Sequence, residues 1–226
     1  MAVVADMDRI VFVSVIHTDL ESVEQARQVV RDTRPEVVAV ELDHDRYQQL
    51  INPPDVQTGN LAHTTGNSAQ DLMQQLAVLE KSLGEMTGSN IGDEMLAAIE
   101  EGRAVGAKIA LVDRPMQATI QAMMKVPLSE LYGLTNILPD ATKDIEGGGA
   151  SHMLDMLKEE GAIEDIMRQF QTEFPGLTRV LIEERDLYVA KALRFILNDV
   201  KGSIVVVLGA GHIQGVKAAL DRLCAS

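Results

Sequence analysis

Ile10-Val-Phe-Val-Ser-Val-Ile16, then Glu21–Arg34, then Val37-Val-Ala-Val40 form one sequence unit. The first run is β-branched and continuous, as a strand buried on both faces would be. Glu21–Arg34 reads as an amphipathic helix with Val23, Ala26, Val29 and Val30 on one face, and Pro35 ends it. The third run is a second short apolar strand. Together they form a βαβ unit of the size needed for parallel pairing.

The same reading extends outward in both directions. Asn52 to Asn67 is polar and rich in turn formers, hence a loop. Two helices follow at about 68–87 and 92–106; Gly102 weakens the second and Gly106 caps its end. Lys108–Val112 is a third strand, and Asp113-Arg114-Pro115 opens the next helix with Pro in its first turn. Residues 125–150 read as irregular, with Pro127, Pro139 and Gly147-Gly-Gly149, and helices fill 151–200. Ser203–Leu208 is the last strand, followed by Gly209-Ala-Gly-His212 and a C-terminal helix. The expectation is a single α/β domain over 1–226. It has a mainly parallel central sheet flanked by helices and a large helical insertion, about 114–200, before the last strand.

Composition limits the partners. The 226 residues include 34 Asp and Glu against 20 Lys and Arg, a net charge of −14. Nucleic-acid binding needs a basic footprint, so nucleic acid is excluded as a partner. Aromatic residues are 3% and Trp is absent, which leaves no platform for stacking bases. With 46% hydrophobic and 24% charged residues, the chain is a folded globule and not a disordered acidic tail. Cys224 is the single cysteine, so no internal disulfide forms and a reducing, cytoplasmic setting is the simplest. Dispersed acid resembles proteins of salt-loving organisms; equally, it suits an ordinary cytosolic protein kept soluble by charge. The start, MAVVADMDR, has no signal-peptide character, and the apolar runs are strand-sized where a membrane span needs about 20 residues. An acidic surface favours a neutral or basic substrate, and a homodimer is the base-rate assembly.

Ligands of open parallel sheets bind beyond the carboxyl ends of the strands. Here the strands end in His17-Thr-Asp19, Glu41-Leu-Asp43, Asp113-Arg114 and Gly209-Ala-Gly-His212. Two imidazoles and several carboxylates on one edge suit a divalent metal or acid–base chemistry. Asp19 and Asp43 read first as helix caps, while Asp113 fits either role. His17 and His212 stand out, since capping does not explain a histidine at two of four strand ends. His44, His63 and His152 read as surface or loop residues. Gly209-Ala-Gly-His-Ile-Gln-Gly215 has glycines after a strand, but not at dinucleotide-binding spacing, and the chain holds no further strand for a ribose ligand. Its glycines read as allowing a tight turn that faces His212 to the edge. Glu183-Glu184-Arg185-Asp186 reads, on composition alone, as a solvated charged face.

Four blocks in order carry a family resemblance. Val37-Val-Ala-Val-Glu-Leu-Asp-His-Asp-Arg-Tyr47 resembles the VVAVELDxxRY block of the TraB/PrgY family. Glu94–Glu100 with Ala107–Arg114 resembles the next block of archaeal TraB-like proteins. Ile182-Glu-Glu-Arg-Asp186 is similar to the family's ER-D/N block, and Val205–His212 to its closing GxGH motif. The resemblance implies an EreA/ChaN-like fold, kinship with the metal-dependent Tiki peptidases and a link to pheromone shutdown. It implies that His17 and His212 are the paired GxxH histidines, Glu41 the strand-end glutamate, and Glu184-Arg185 the Glu-Arg pair, which reverses the solvated-face reading. Ser14 replaces the first motif's glycine. Many archaeal relatives continue into a hydrophobic membrane region, so a longer form with a membrane segment is compatible with this chain.

The resulting expectation is metal-assisted hydrolysis of a peptide bond. His17 and His212 would ligate Mn²⁺, Co²⁺ or Zn²⁺, and Glu41 would be a further ligand or the base that activates the metal-bound water. Glu184 would take the other of those roles, and Arg185 would bind an oxyanion or a substrate carboxylate. Two alternatives stand beside it. One is a binding module that sequesters a peptide or small ligand; the other is a metal-free, esterase-like enzyme with His17 as base.

Overall fold

The computed structural model describes residues 7–17, 19–52, 69–75, 92–144 and 149–225. Four parallel strands, β1 (Ile10–Val15), β2 (Val37–Val40), β3 (Lys108–Leu111) and β4 (Ile204–Gly209), form one sheet in the order β1-β4-β2-β3. Before β3 come α1 (Leu20–Thr33), α2 (His44–Ile51), α3 (helical residues 69–75) and α4 (Asp93–Ala104). Between β3 and β4 lie α5 (Met116–Met123), α6 (Leu128–Asp144), α7 (Ala150–Lys158), α8 (Ala162–Glu173), α9 (Pro175–Thr178) and α10 (Glu184–Asp199). α11 (Ile213–Ala225) follows β4. The architecture is the α/β class with a parallel sheet read from the sequence.

The strand order departs from that reading. β1 and β2 do not pair with each other, because β4 lies between them: Val205 is in register with Val11 on one side and Val38 on the other. β4 has no polar side chain and every residue in it is buried. It therefore takes the place where both faces and both edges are covered. β1, expected to be buried on both faces, is an edge strand, with Val11 37% exposed and Ser14 exposed.

Helices cover both faces. α1 and α4 pack Ala26, Val30, Met95, Ala98 and Ile99 onto Val13, Val38, Val40, Val205 and Val207. α10 and α11 pack Val189, Leu193, Leu197, Val216 and Leu220 onto Ile10, Val37, Ala39, Val206 and Leu208. Gly102 brings α4 close to the sheet: a Cβ there would lie 2.8 Å from Val38 Cγ2 and 3.0 Å from Ile109 Cδ1. Gly106, at φ +83°, ends the helix as expected. Its N–H donates to Arg103 O and that of Ala107 to Gly102 O, a Schellman arrangement.

A third core stands apart from the sheet, with Leu72 of α3, Met123, Leu131, Leu134, Leu138, Phe174 and Leu177. The segment between β3 and β4 is thus divided: α10 belongs to the sheet, while residues of α5, α6 and α9 build this third core. The stretch 125–150, read as irregular, contains the whole of α6. Interior Pro139 costs about 3 kcal/mol by itself, but Leu131, Leu134 and Leu138 recur at helical spacing and are buried together. α5 also starts differently from expectation. Pro115 is its N-cap position without a side-chain bond, and Asp43 Oδ2 accepts the Met116 N–H instead, at 2.8 Å. Most of the expected loop before residue 68, most of the helix expected over 68–87, and His63 lie outside the described residues. Among the described residues, no helix is long and apolar enough to cross a membrane.

Candidate functional site

Because all four strands are parallel, their carboxyl ends meet on one edge of the sheet. Glu41 follows β2 directly and is buried there. Its Oε2 accepts the Gly209 N–H at 2.7 Å, and its Oε1 accepts from Arg185 Nη2 at 2.6 Å. Burial pushes this carboxyl up, but His212, Arg185, His17 and the Gly209 N–H outweigh it and hold the group at about 2. Arg185 also donates through Nε and Nη2 to the two oxygens of Asp113, at 3.1 and 2.8 Å. Burial disfavours its charge, and Glu41 and Asp113 more than restore it, so the guanidinium stays charged.

Each imidazole is tied through Nδ1 to a buried carboxylate on a helix. His17 Nδ1 lies 2.7 Å from Glu94 Oε1 in the first turn of α4, and His212 Nδ1 lies 2.6 Å from Asp186 Oδ1 in the first turn of α10. Burial raises the Asp186 carboxyl, against the lowering effect of the His212 bond. The opposite sides of the rings approach one point. A Cβ added to Gly209 would sit 3.0 Å from His17 Nε2, 3.3 Å from Glu41 Oε2 and 3.7 Å from His212 Cδ2. His212 Nε2 lies 3.5 Å from Glu41 Oε1 and 3.2 Å from Arg185 Nη1.

The sequence profile of the TraB/PrgY/gumN family matches residues 3–226. The chain belongs to the TraB/PrgY/gumN family. It is 29% identical over 218 residues to an uncharacterized protein of Methanocaldococcus jannaschii, covering 95% of this chain and 54% of that protein. It is 25% identical over 248 residues to the TraB domain-containing proteins of Bos taurus and Homo sapiens, covering 95% of this chain and 63% of each. The chain therefore spans between half and two thirds of the length of these relatives.

In this TraB/PrgY/gumN chain, four of the five residues singled out from the family motifs come together: His17, Glu41, Arg185 and His212. Glu184 faces elsewhere. Its carboxylate pairs with Arg114 Nη1 at 2.8 Å and Arg179 Nε at 3.9 Å, and its side chain is 41% exposed. A π-helical turn, Arg179–Glu183, directly precedes these residues, with the Glu184 N–H bonding Arg179 O. Such a turn inserts one residue into the helical register. It precedes the positions from which Arg185 reaches the strand ends and Asp186 reaches His212.

Asp19 and Asp43 act as caps, as read: Asp19 Oδ2 accepts the Ser22 N–H and Asp43 Oδ1 the Arg46 N–H. Asp113 belongs to the site through Arg185. The glycine-rich turn works by space and not by unusual backbone angles, a correction to the tight-turn reading. Gly209 has φ −54°, and a Cβ on Gly215 would overlap the Asp186 carboxylate. Glu94 and Asp186 were not singled out from the sequence. Both stand in family blocks quoted from the sequence, Asp186 beside Arg185 and Glu94 at the head of Glu94–Glu100, but neither is given a role there.

Among the described residues, no group of three or more His, Cys, Asp or Glu side chains is arranged as a metal site. The donor types nonetheless fit a divalent ion. Two carboxylate-anchored imidazoles and Glu41 surround the Gly209 position, and the Arg185 guanidinium neutralises Glu41 there.

Proposed function

We propose that the chain carries a hydrolytic site for a peptide bond in a small peptide or a protein N-terminus, dependent on a divalent ion. The convergence of His17 Nε2, Glu41 and His212 around the Gly209 position supports this most strongly. His17, His212 and Glu41 would hold Mn²⁺, Co²⁺ or Zn²⁺, a set that neutral imidazole and carboxylate donors suit. When bound, such an ion lowers the pKa of its water toward neutrality.

Of the two carboxylates, Glu41 is the ligand. It is buried and ionised far below neutral pH, and so is a weak proton acceptor. Glu184, paired with Arg114 and Arg179 away from the strand ends, is not placed to take the proton-transfer role in this reading. Arg185, fixed by both oxygens of Asp113, presents Nη1 beside His212, where it would stabilise a developing oxyanion.

One contact favours a second reading. Arg185 Nη1 lies 3.2 Å from His212 Nε2, and a guanidinium N–H there engages the ring nitrogen that would ligate an ion. In a metal-free enzyme His17, backed by Glu94, would act as general base.

The test is mass spectrometry of a basic peptide incubated with the wild type, before and after exhaustive chelation. Cleavage abolished by chelation and restored by Mn²⁺, Co²⁺ or Zn²⁺ supports the metal-dependent enzyme. Cleavage unaffected by chelation supports the metal-free one. Intact but retained peptide would contradict both and mark a sequestering module.

A further inference from the structure

We infer that Glu94 and Asp186 are the positioning residues of this site: they fix both imidazoles with the proton on Nδ1, which sets the Nε2 lone pair of His17 beside the Gly209 position and that of His212 beside Arg185 and Glu41. The inference rests on reading His17 and His212 as the working rings.

Both carboxylates are placed at an energetic disadvantage that packing alone does not explain. Glu94 is 1% exposed in the first turn of α4, the helix whose Met95, Ala98 and Ile99 pack onto the sheet. Its Oε1 meets His17 Nδ1, and its Oε2 has no hydrogen-bond partner among the described residues. Burying a carboxylate with half of its acceptors unmet is unfavourable, and a leucine would fill this place without that penalty. Asp186 sits where α11 carries Gly215, and an alanine at 215 would overlap its carboxylate. A glycine inside a helix is itself less favourable than alanine. Two independent helices thus accept an unfavourable residue, and in both cases the result is one bond to an imidazole Nδ1.

The chemistry follows from the tautomer. A neutral imidazole has one donor and one acceptor nitrogen, and the bond made by one nitrogen sets the state of the other. A carboxylate on Nδ1 requires the proton there, which frees Nε2 as a ligand or base. For His212 the same state lets Nε2 accept from Arg185 Nη1, in agreement with their 3.2 Å separation. The tautomer therefore serves the ligand and base roles alike.

The experiment is imidazole ¹⁵N NMR on metal-stripped, ¹⁵N-histidine-labelled protein, above the pH at which the rings titrate. The chain has five histidines, assigned by single substitution. The wild type is expected to show His17 and His212 protonated on Nδ1. In Glu94→Leu, His17 moves to the Nε2-protonated form while His212 stays unchanged; in Asp186→Ala, His17 stays unchanged and His212, still accepting from Arg185 at Nε2, shows an Nδ1 resonance shifted by the loss of its carboxylate acceptor. Glu94→Gln keeps the Nδ1 proton on His17, because its amide oxygen still accepts. Divalent-ion affinity falls about 10–100-fold in Glu94→Leu with no loss of melting temperature. A wild-type His17 protonated on Nε2 would overturn the inference even if Glu94→Leu failed to fold, as would a Glu94→Leu spectrum like that of the wild type. A wild type without hydrolytic activity but with both rings protonated on Nδ1 would sink the hydrolytic reading and leave this inference intact.

Discussion

Asp186 fills the space that Gly215 leaves open: a Cβ on the glycine of α11 would overlap the carboxylate projecting from α10. That carboxylate holds His212 through a 2.6 Å bond. Gly→Ala inside a helix ordinarily stabilises by about 1 kcal/mol. Here Gly215→Ala is expected to destabilise by roughly 1–3 kcal/mol, as overpacking does, and to release His212 from Asp186. Thermal unfolding checks it; a raised melting temperature would contradict the packing described.

Gly209→Ala is the complementary case. The backbone there, at φ −54° and ψ 140°, accepts alanine, but the methyl group would stand 3.0 Å from His17 Nε2 and 3.3 Å from Glu41 Oε2. The variant should fold normally and lose peptide cleavage by about a hundredfold, the order expected when reacting groups are displaced by an ångström. Wild-type turnover in Gly209→Ala would show that this point is not where the reaction takes place.

Glu41 gives stability a defined pH window. Its carboxyl is lowered from 4.5 to about 2 in the folded chain, so its contribution is present above the unfolded value and is lost as pH falls from about 4.5 through about 2. Glu41→Gln breaks a buried ion pair, a change worth about 3–5 kcal/mol, with the amide oxygen keeping part of the bonding. Urea unfolding should show that loss at neutral pH and a shrinking gap between variant and wild type below about pH 4.5. A gap that stays constant down to pH 2 would mean that Glu41 is not held ionised by its neighbours. Asp186 has the opposite sign. Its carboxyl is raised in the folded chain, so it destabilises at neutral pH and the penalty is relieved on acidification.

The apolar runs and the helix between them made the α/β class and the parallel sheet legible, the strand ends pointed to His17 and His212, and the family blocks added Glu41 and Arg185. Strand order was not legible. β1 and β4 are both continuous apolar runs, and their difference lies in which edges they cover, a property of the assembled sheet. α6 was obscured by Pro139, although Leu131, Leu134 and Leu138 carried the helical spacing. Glu94 was hidden because an acid in the first turn of a helix is already explained by the helix dipole. Its partner, His17, is 77 residues away in the chain.

Arg185→Lys separates charge from shape. Lysine keeps one positive charge but cannot donate to both Asp113 oxygens and Glu41 together, as the guanidinium does. The variant is expected to lose about 2–4 kcal/mol, the range for breaking buried charge-assisted bonds. Calorimetric unfolding within 0.5 kcal/mol of the wild type would indicate that one charge suffices to neutralise Glu41.

The most direct test of the central claim is divalent-ion binding to the metal-stripped chain, by titration calorimetry with Mn²⁺, Co²⁺ and Zn²⁺, on wild type, His17→Ala and His212→Ala. The account predicts one site per chain in the wild type and its loss in both variants. Binding to either variant with wild-type affinity would contradict it.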